Sequence, residues 1–132
     1  MVKIVLVEDD KMLAEIYQTR LQLAGHDCKV ANDGLSGLAL IKEEKPDLVL
    51  LDLMLPYLSG DGILREMRKN DWGKHTKAIF LTNISESEAP EGLEKLGFER
   101  YIVKANLVNN ELAEVVDTTL GQKPATDAPA AA

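Results

Sequence analysis

Acidic side chains follow two apolar segments of this chain, at the points where the segments end. Glu8 and Asp9 come directly after Ile4–Val7, and Asp52 comes directly after Leu48–Leu51. Each segment is typical of a buried β-strand, because an unbroken apolar run suits a sheet that is covered on both faces. In an open α/β sheet the carboxyl ends of adjacent strands meet at one crevice. We therefore expect the three carboxylates to lie close together.

A cluster of three carboxylates is a donor set for a hard cation. Like charges that are forced together cannot all stay ionised without a compensating charge. Mg²⁺ fits such a set, since it prefers octahedral oxygen coordination, takes few carboxylates and keeps positions for water and phosphate oxygens. His26 and His75 are far apart in sequence and lack the ligand spacing of a zinc site. The sequence predicts a magnesium site at Glu8, Asp9 and Asp52.

Two further polar residues end later apolar segments. Thr82 follows Ala78–Leu81 and Lys104 follows Tyr101–Val103, so a hydroxyl and an ammonium group join the predicted crevice. Taken singly, each residue also fits a purely structural role, such as a helix cap or a solvated surface charge. Together, a carboxylate nucleophile, a divalent metal, a lysine and a hydroxyl are what phosphoryl transfer requires, because charge develops on the phosphoryl oxygens. The set predicts phosphorylation of Asp52.

The apolar pattern alternates between strand and helix periodicity along the whole chain. This alternation predicts an α/β fold with a five-stranded parallel sheet, doubly wound as (βα)5. The predicted strands are Val2–Val7, His26–Ala31, Leu48–Asp52, Ala78–Thr82 and Arg100–Val103. The predicted helices are Lys11–Ala24, Gly34–Glu44, Gly60–Lys69, Glu88–Leu96 and Leu107–Leu120.

Length, composition and charge bound the class of protein. A chain of 132 residues with 45% apolar content fits one domain, which we place at residues 1–120. Residues 121–132 are rich in Pro and Ala and are predicted to be a disordered tail or a linker. The net charge of −7 argues against nonspecific nucleic-acid binding and favours a protein partner. Cys28 is the only cysteine, so an intramolecular disulfide is excluded.

The sequence shows neither the pattern of a membrane span nor that of an export signal. No apolar run approaches the roughly 18 residues of a membrane span. The amino-terminal residues lead straight into a predicted strand, without the pattern of a signal peptide. We expect a cytoplasmic location and no contact with a membrane.

Because of these polar residues at the strand ends, the chain resembles the receiver domain of two-component response regulators. That family includes the single-domain chemotaxis regulator. The resemblance covers about residues 2–120 and implies the flavodoxin-like strand order 2-1-3-4-5. It also implies a role for each matching residue: the acidic pair Glu8 and Asp9, the phosphoacceptor Asp52, the conformational hydroxyl Thr82, the lysine Lys104, the switch aromatic Tyr101 and a metal-binding backbone carbonyl at Met54.

The resemblance further implies a signalling function. A histidine kinase or a histidine phosphotransfer protein would donate a phosphoryl group to Asp52, with Mg²⁺ as cofactor. The receiver would catalyse its own phosphorylation and dephosphorylation and would not be an enzyme in any other sense. Thr82 would move toward the phosphoryl group and Tyr101 would turn inward. The face formed by the predicted helix Glu88–Leu96, the fifth strand and the last helix would then bind a downstream protein. A monomer and a weak homodimer both remain open.

Several residues depart from the family pattern. Ala105 stands where a proline is usual, so the shape of the loop that presents Lys104 is open. Asn83 stands where a small residue is usual. Met54 and Ile84 occupy positions that flank the phosphoryl group, and neither can orient an attacking water by hydrogen bonding. This predicts slow self-dephosphorylation.

Three other functions compete with this interpretation. A flavin mononucleotide carrier of the same architecture needs a loop after the first strand that holds phosphate, and Glu8–Asp10 would repel one. A haloacid-dehalogenase-like phosphatase needs a second Asp two positions after the nucleophile, where this chain has Met54. The serious alternative is a receiver-like module that docks proteins without phosphorylation, because Ala105 and Asn83 depart from the pattern while the core residues remain.

Overall fold

The computed structural model describes residues 2–107 and 111–121, which form an α/β fold around one parallel sheet. The strands are β1 Lys3–Val7, β2 Asp27–Ala31, β3 Leu48–Leu51, β4 Lys77–Thr82 and β5 Arg100–Val103. The α-helices are α1 Lys11–Leu23, α2 Gly34–Glu44, α3 Gly60–Arg68 and α4 Glu111–Thr119. The strand order is β2-β1-β3-β4-β5, and all neighbouring strands are parallel. The predicted fold class and strand order are confirmed.

The sheet is covered on both faces, as its apolar central strands require. Ile4 and Leu6 of β1 pack against α1 and α4, where Leu21 and Val116 are fully buried. The alternate residues of the same strand, such as Val7, pack against α2 and α3. Because successive strand residues point to opposite faces, one apolar strand contributes to both layers of the core.

Connections of two to eight residues lead from the carboxyl ends of the first three strands into helices. Asp10, Asp33 and Ser59 are the N-caps of α1, α2 and α3, and each side chain accepts a hydrogen bond from a backbone N–H in the first turn of its helix. Gly60 lies so close to the carbonyl of Asp52 that a Cβ there would clash with it. Caps and close packing therefore fix the backbone around the residues that end β1, β2 and β3.

The prediction of an α-helix at Glu88–Leu96 is wrong. The chain there forms two separate 3₁₀ turns, Glu86–Glu88 and Leu93–Leu96. Pro90 cannot donate to a helical ladder, and Gly92 adopts a left-handed backbone with φ of 80°. The two residues together interrupt an α-helix between the turns.

The last predicted elements lie partly outside the described residues. The helix predicted at Leu107–Leu120 is present as α4, Glu111–Thr119, while residues 108–110 lie outside the described part. The predicted tail, residues 121–132, lies outside it too, except for Gly121. No helix in the described ranges is long and apolar enough to cross a membrane.

Candidate functional site

Glu8 and Asp52 lie side by side because each directly follows one of two paired strands. Their backbone N–H groups continue the ladder: Glu8 donates to the carbonyl of Ala31 at 3.0 Å, and Asp52 donates to that of Val7 at 3.2 Å. Glu8 is 1% exposed and Asp52 is 5% exposed, whereas Asp9 is exposed. The sheet thus delivers two buried carboxylates and one solvated carboxylate to the same edge.

These three carboxylates form a compact oxygen cluster. One oxygen from each of Glu8, Asp9 and Asp52 lies within 4.8 Å of the others. Among the described residues, no other group of three His, Cys, Asp or Glu side chains could hold a metal ion. An all-carboxylate set suits a hard cation such as Mg²⁺ and offers none of the softer ligands that zinc prefers.

Lys104 supplies the countercharge to the two buried carboxylates. It begins the 3₁₀ turn Lys104–Asn106 directly after β5, and its Nζ lies 2.5 Å from Glu8 Oε1 and 2.7 Å from Asp52 Oδ2. Burial alone would lower the pKa of Lys104, but its hydrogen bonds to Asp52 and Glu8 outweigh burial and raise it. Burial raises the pKa of Glu8 in spite of this contact. Lys104 is therefore held in its charged form next to two oxygens of the cluster.

A cleft of about 300 Å³ opens over the cluster, and it is lined by the residues that end the strands and by their neighbours: Glu8, Asp9, Asp10, Leu13, Asp52, Met54, Thr82, Asn83 and Lys104. Thr82 is fully buried, and its Oγ1 accepts a hydrogen bond from the N–H of Ile84 at 3.4 Å. The backbone N–H of Met54 donates to Asp52 Oδ1 at 3.1 Å. Asp52 is thus oriented by a hydrogen bond on each carboxylate oxygen.

Tyr101 lies outside this cleft lining but is connected to it through one loop. Its hydroxyl donates to the carbonyl of Ile84 at 2.7 Å, two residues after Thr82. Its ring lies near the aromatic rings of Phe80 and Phe98, with centroid distances of 6.2 and 6.4 Å. Burial, followed by the charge of Glu86, raises the pKa of Tyr101, so the hydroxyl stays a hydrogen-bond donor.

The structure brings Glu8, Asp9, Asp52, Thr82 and Lys104 into one cleft, and their chemical roles stay predictions. It also adds a residue that the sequence analysis missed. Asn32 donates from Nδ2 to the carbonyl of Glu8 at 2.8 Å and so steadies the acidic pair. Its position after β2, next to β1 in the sheet, was the signal that could have indicated this contact.

Neither His26 nor Cys28 belongs to the site. His26 is buried, and its Nε2 lies 2.7 Å from Asp117 Oδ1 on α4. Cys28 is 1% exposed, and burial raises the pKa of its thiol to about 12. Both side chains therefore belong to the packing of the sheet against its helices.

Comparison with known proteins gives a consistent family assignment. A sequence model described as the response regulator receiver domain matches residues 4–117. A curated relative from Porphyridium aerugineum, named probable transcriptional regulator ycf27, is 42% identical over 103 residues. That match covers 77% of this chain and 41% of the relative, so the chain spans about two fifths of the length of that protein.

Solved structures with the same fold cover almost the whole chain. The receiver domain of the Francisella response regulator 1452 is 30% identical, with a TM-score of 0.81 and coverage of 92% of this chain and 98% of that one. The receiver domain of the sensor histidine kinase PA1611 from Pseudomonas aeruginosa is 25% identical, with the same TM-score and the same coverage of both chains. That structure is described as having a magnesium ion coordinated in its active site cleft.

Proposed function

We propose, because this chain belongs to the family of response regulator receiver domains, that it accepts a phosphoryl group on Asp52 from a phosphohistidine donor. The observation that carries the proposal is the meeting of Asp52, Lys104, Thr82 and the acidic pair in one solvent-accessible cleft. A histidine kinase or a histidine phosphotransfer protein is the donor class that this chemistry requires. A nucleic acid or a membrane has no role in it.

The side chains divide the phosphoryl transfer between them. A carboxylate oxygen of Asp52 attacks the phosphorus, the bond from phosphorus to the histidine nitrogen breaks, and its electron pair returns to the imidazole. The ammonium group of Lys104, 2.7 Å from Asp52 Oδ2, is placed to neutralise charge on a phosphoryl oxygen. The hydroxyl of Thr82 has a proton to donate to a second oxygen. The strand ends hold these groups in one cleft before the donor arrives.

Mg²⁺ is the cofactor that fits the remaining oxygens. Glu8, Asp9, Asp52 and the backbone carbonyl of Met54 would hold it, and it would neutralise negative charge on the transferring group. The support is the carboxylate cluster, with oxygens within 4.8 Å of one another. Lys104 contacts Glu8 and Asp52 from the side of β5 and supplies the charge balance that two buried carboxylates need.

The signal is proposed to leave the site through the loop after β4. Thr82 Oγ1 accepts from the N–H of Ile84, and the carbonyl of Ile84 accepts from the hydroxyl of Tyr101. A phosphoryl group that draws the Thr82 hydroxyl away changes the first contact and biases the second. A downstream protein then reads the surface of residues 83–97, β5 and α4. We propose that the chain works as a monomer or a weak homodimer.

Intact-mass analysis with acetyl phosphate and Mg²⁺ tests the proposed reaction. We expect one added phosphoryl group on the wild type, and none with Asp52→Asn or with EDTA in place of Mg²⁺. Asp61→Asn is the matched control, since Asp61 is also a buried carboxylate but pairs with Arg65 on α3, and it should be modified like the wild type. Absence of an adduct with acetyl phosphate and with beryllofluoride would favour the docking module that works without phosphorylation.

We infer in addition that the phosphoryl group is lost slowly. Met54 lines the cleft and Ile84 adjoins it, and neither apolar side chain can orient an attacking water by hydrogen bonding. Met54→Asn should shorten the lifetime of the phosphorylated chain several-fold, as measured by phosphate release after removal of acetyl phosphate. Met12→Asn, a change to another exposed methionine, should leave the lifetime unchanged. Fast release from the wild type would contradict the inference.

A further inference from the structure

The edge of the sheet opposite the cleft carries a tryptophan between two open hollows. Trp72, the only tryptophan of the chain, lies in the loop between α3 and β4 and is half-buried. It lines both hollows, which have volumes of about 580 and 520 Å³. Each hollow is larger than the cleft of about 300 Å³ over Asp52. No step of the proposed phosphoryl transfer uses either of them.

We call the two hollows, together with the Trp72 side chain between them, the Trp72 groove. The first hollow lies at the amino ends of β1, β3 and β4, where Val2, Pro46 and Leu120 provide apolar walls. The second lies against the last turns of α2, where Ala39 forms part of its wall. Because Trp72 borders both hollows, one extended segment can run from the first to the second across its ring.

The loop that carries Trp72 is held in place before any occupant binds. Arg68 donates to the carbonyls of Gly73 and Thr76, both at 2.8 Å. Gly73 lies so close to Met67 that a Cβ there would clash with it. The Trp72 ring packs partly against the core, and its indole N–H makes no hydrogen bond with the described residues. The groove is therefore preformed and has a donor available for a peptide carbonyl.

The chain itself leads into this groove. Leu120 lines the first hollow, and residues 122–132 follow one residue later. These eleven residues include two prolines, three residues apart from no aromatic or large aliphatic side chain, so they cannot form a core of their own. Proline restricts the backbone to values that suit a polyproline II helix, which lowers the entropy lost on binding. Segments of that kind bind grooves lined by aromatic side chains.

The order of charges along the groove matches the order of charges along this segment. Apart from His75, the charged side chains of the first hollow are Asp47, Asp71 and Lys77. The charged side chains of the second hollow are Lys42, Glu43 and Lys45. The first is therefore the acidic hollow and the second the basic hollow. Residues 122–132 carry Lys123 first and Asp127 four residues later, and an extended chain separates them by about 12 Å.

We propose that residues 122–132 bind back into the Trp72 groove of their own chain. Lys123 lies in the acidic hollow, Pro124 packs on the indole ring of Trp72, and Asp127 lies in the basic hollow. The segment is tethered at Leu120, so its effective concentration at the groove is of millimolar order and weak contacts suffice. The bound segment holds the end of α4 and closes this edge of the sheet to other partners. This interaction does not depend on phosphorylation.

The fluorescence of Trp72 tests the proposal in the full chain, because no other tryptophan contributes to it. The test variant, Lys123→Asp with Asp127→Lys, reverses the order of the two charges and leaves the composition and net charge unchanged. The control, Lys123→Arg with Asp127→Glu, keeps the order. Neither variant changes a residue of the sheet or of the four α-helices, so both should fold like the wild type.

We expect the quenching constant of Trp72 with acrylamide to rise about twofold in the charge-exchanged variant and to stay at the wild-type value in the control. The heteronuclear NOEs of residues 123–127 should be positive in the wild type and in the control, and should fall to values near zero or below in the exchanged variant.

Two results would overturn the proposal. One is equal quenching of Trp72 in all three proteins, or NOEs in the wild type that are those of a freely moving chain, since the segment would then not occupy the groove. The other is protection of Trp72 that is lost on dilution, since the groove would then bind the segment of a second copy.

Discussion

Among the described residues that line the cleft, Lys104 is the one basic side chain, and it contacts both Glu8 and Asp52. Lys104→Met leaves two buried carboxylates without that countercharge. Loss of one partner of a buried ion pair typically costs about 3–5 kcal/mol, so we expect the free energy of unfolding in EDTA to fall by about 3 kcal/mol. Mg²⁺ should restore part of this loss by replacing the missing charge. Urea denaturation with and without Mg²⁺ measures both effects.

Lys29→Met is the control for the loss of Lys104. The Lys29 side chain is 50% exposed and pairs with Glu44 on the surface, where an ion pair contributes little to stability. Its loss should change the free energy of unfolding only slightly, and Mg²⁺ should have the same effect on it as on the wild type. Equal destabilisation of the two variants would contradict a special role for Lys104.

Cys28 should be chemically inert while the protein is folded. The thiolate is the reactive form of cysteine, and burial, followed by the charge of Asp27, raises the pKa of this thiol to about 12. An unfolded cysteine ionises near about 8.5. The stability that the neutral thiol provides is therefore complete below about 8.5 and is lost as the pH rises toward about 12.

Mass analysis after treatment with iodoacetamide at pH 8 checks this behaviour. The folded protein should remain unmodified, and the same protein in urea should gain one adduct. Rapid modification of the folded protein would show that Cys28 is accessible or acidic, and would contradict its burial in the sheet.

At the scale of elements, the strands were more predictable than one of the connections. Apolar runs such as Leu48–Leu51 predicted the strands within one or two residues, because a sheet covered on both faces requires such runs. The predicted helix Glu88–Leu96 was wrong, although its sequence contains Pro90 and Gly92, which oppose a helix. The expectation of a regular (βα) repeat outweighed these local signals.

Arg68 shows how that irregular connection is held in place. The Arg68 guanidinium donates to the carbonyls of Gly73 and Thr76 in the loop before β4. It also donates to the carbonyls of Leu96 and Gly97 at the end of the second 3₁₀ turn. One side chain therefore ties the end of α3 to two loops. A sequence pattern could not indicate this, because the acceptors are backbone groups whose positions depend on the whole fold.

Arg68→Lys should consequently destabilise the protein, although the substitution leaves the charge unchanged. A lysine ammonium cannot donate to four carbonyls in the geometry of the planar guanidinium. Carbonyls that lose their hydrogen bonds in a partly buried place lower the free energy of unfolding. We expect a loss of about 2 kcal/mol in the free energy of unfolding. Hydrogen exchange should accelerate at Leu96 and Gly97 more than at β1. The control Arg65→Lys, at an exposed arginine paired with Asp61, should lose much less.

At the scale of the whole molecule, the residues that form the core and the residues of the candidate site lie in different parts of the parallel sheet. The core lies between the central strands and the helices. The polar residues of the candidate site lie at one edge of the sheet, at a strand end or directly after it: Glu8, Asp52, Thr82 and Lys104. This separation made the polar set of the candidate site predictable, since residue type and strand end are both visible in sequence. The contact of Asn32 with Glu8 could be inferred only by assuming that β2 pairs with β1. The left-handed backbone of Tyr57, with a φ of 70°, depends on turn geometry that the residue pattern does not indicate.

The proposed Mg²⁺ site would also couple the cation to the stability of the entire fold. A cation that binds only the folded chain stabilises it by about 1.4 kcal/mol for each tenfold excess over its Kd. The melting temperature should therefore rise with Mg²⁺ concentration. Asp9→Asn should remove most of that rise, because it removes the exposed member of the cluster. In EDTA the same variant should melt at or above the wild type, since one of three neighbouring like charges is gone.

These opposite effects distinguish a specific site from general screening of an acidic protein. Screening of the net charge of −7 acts over the whole surface, and NaCl at the same ionic strength should produce the same effect. Asp71→Asn changes the net charge by the same amount at an exposed position before β4, at the edge of the sheet away from the cleft. It should keep the full response to Mg²⁺. If Asp9→Asn and Asp71→Asn respond alike, Mg²⁺ acts as a general counterion, and the carboxylate cluster does not form a metal site.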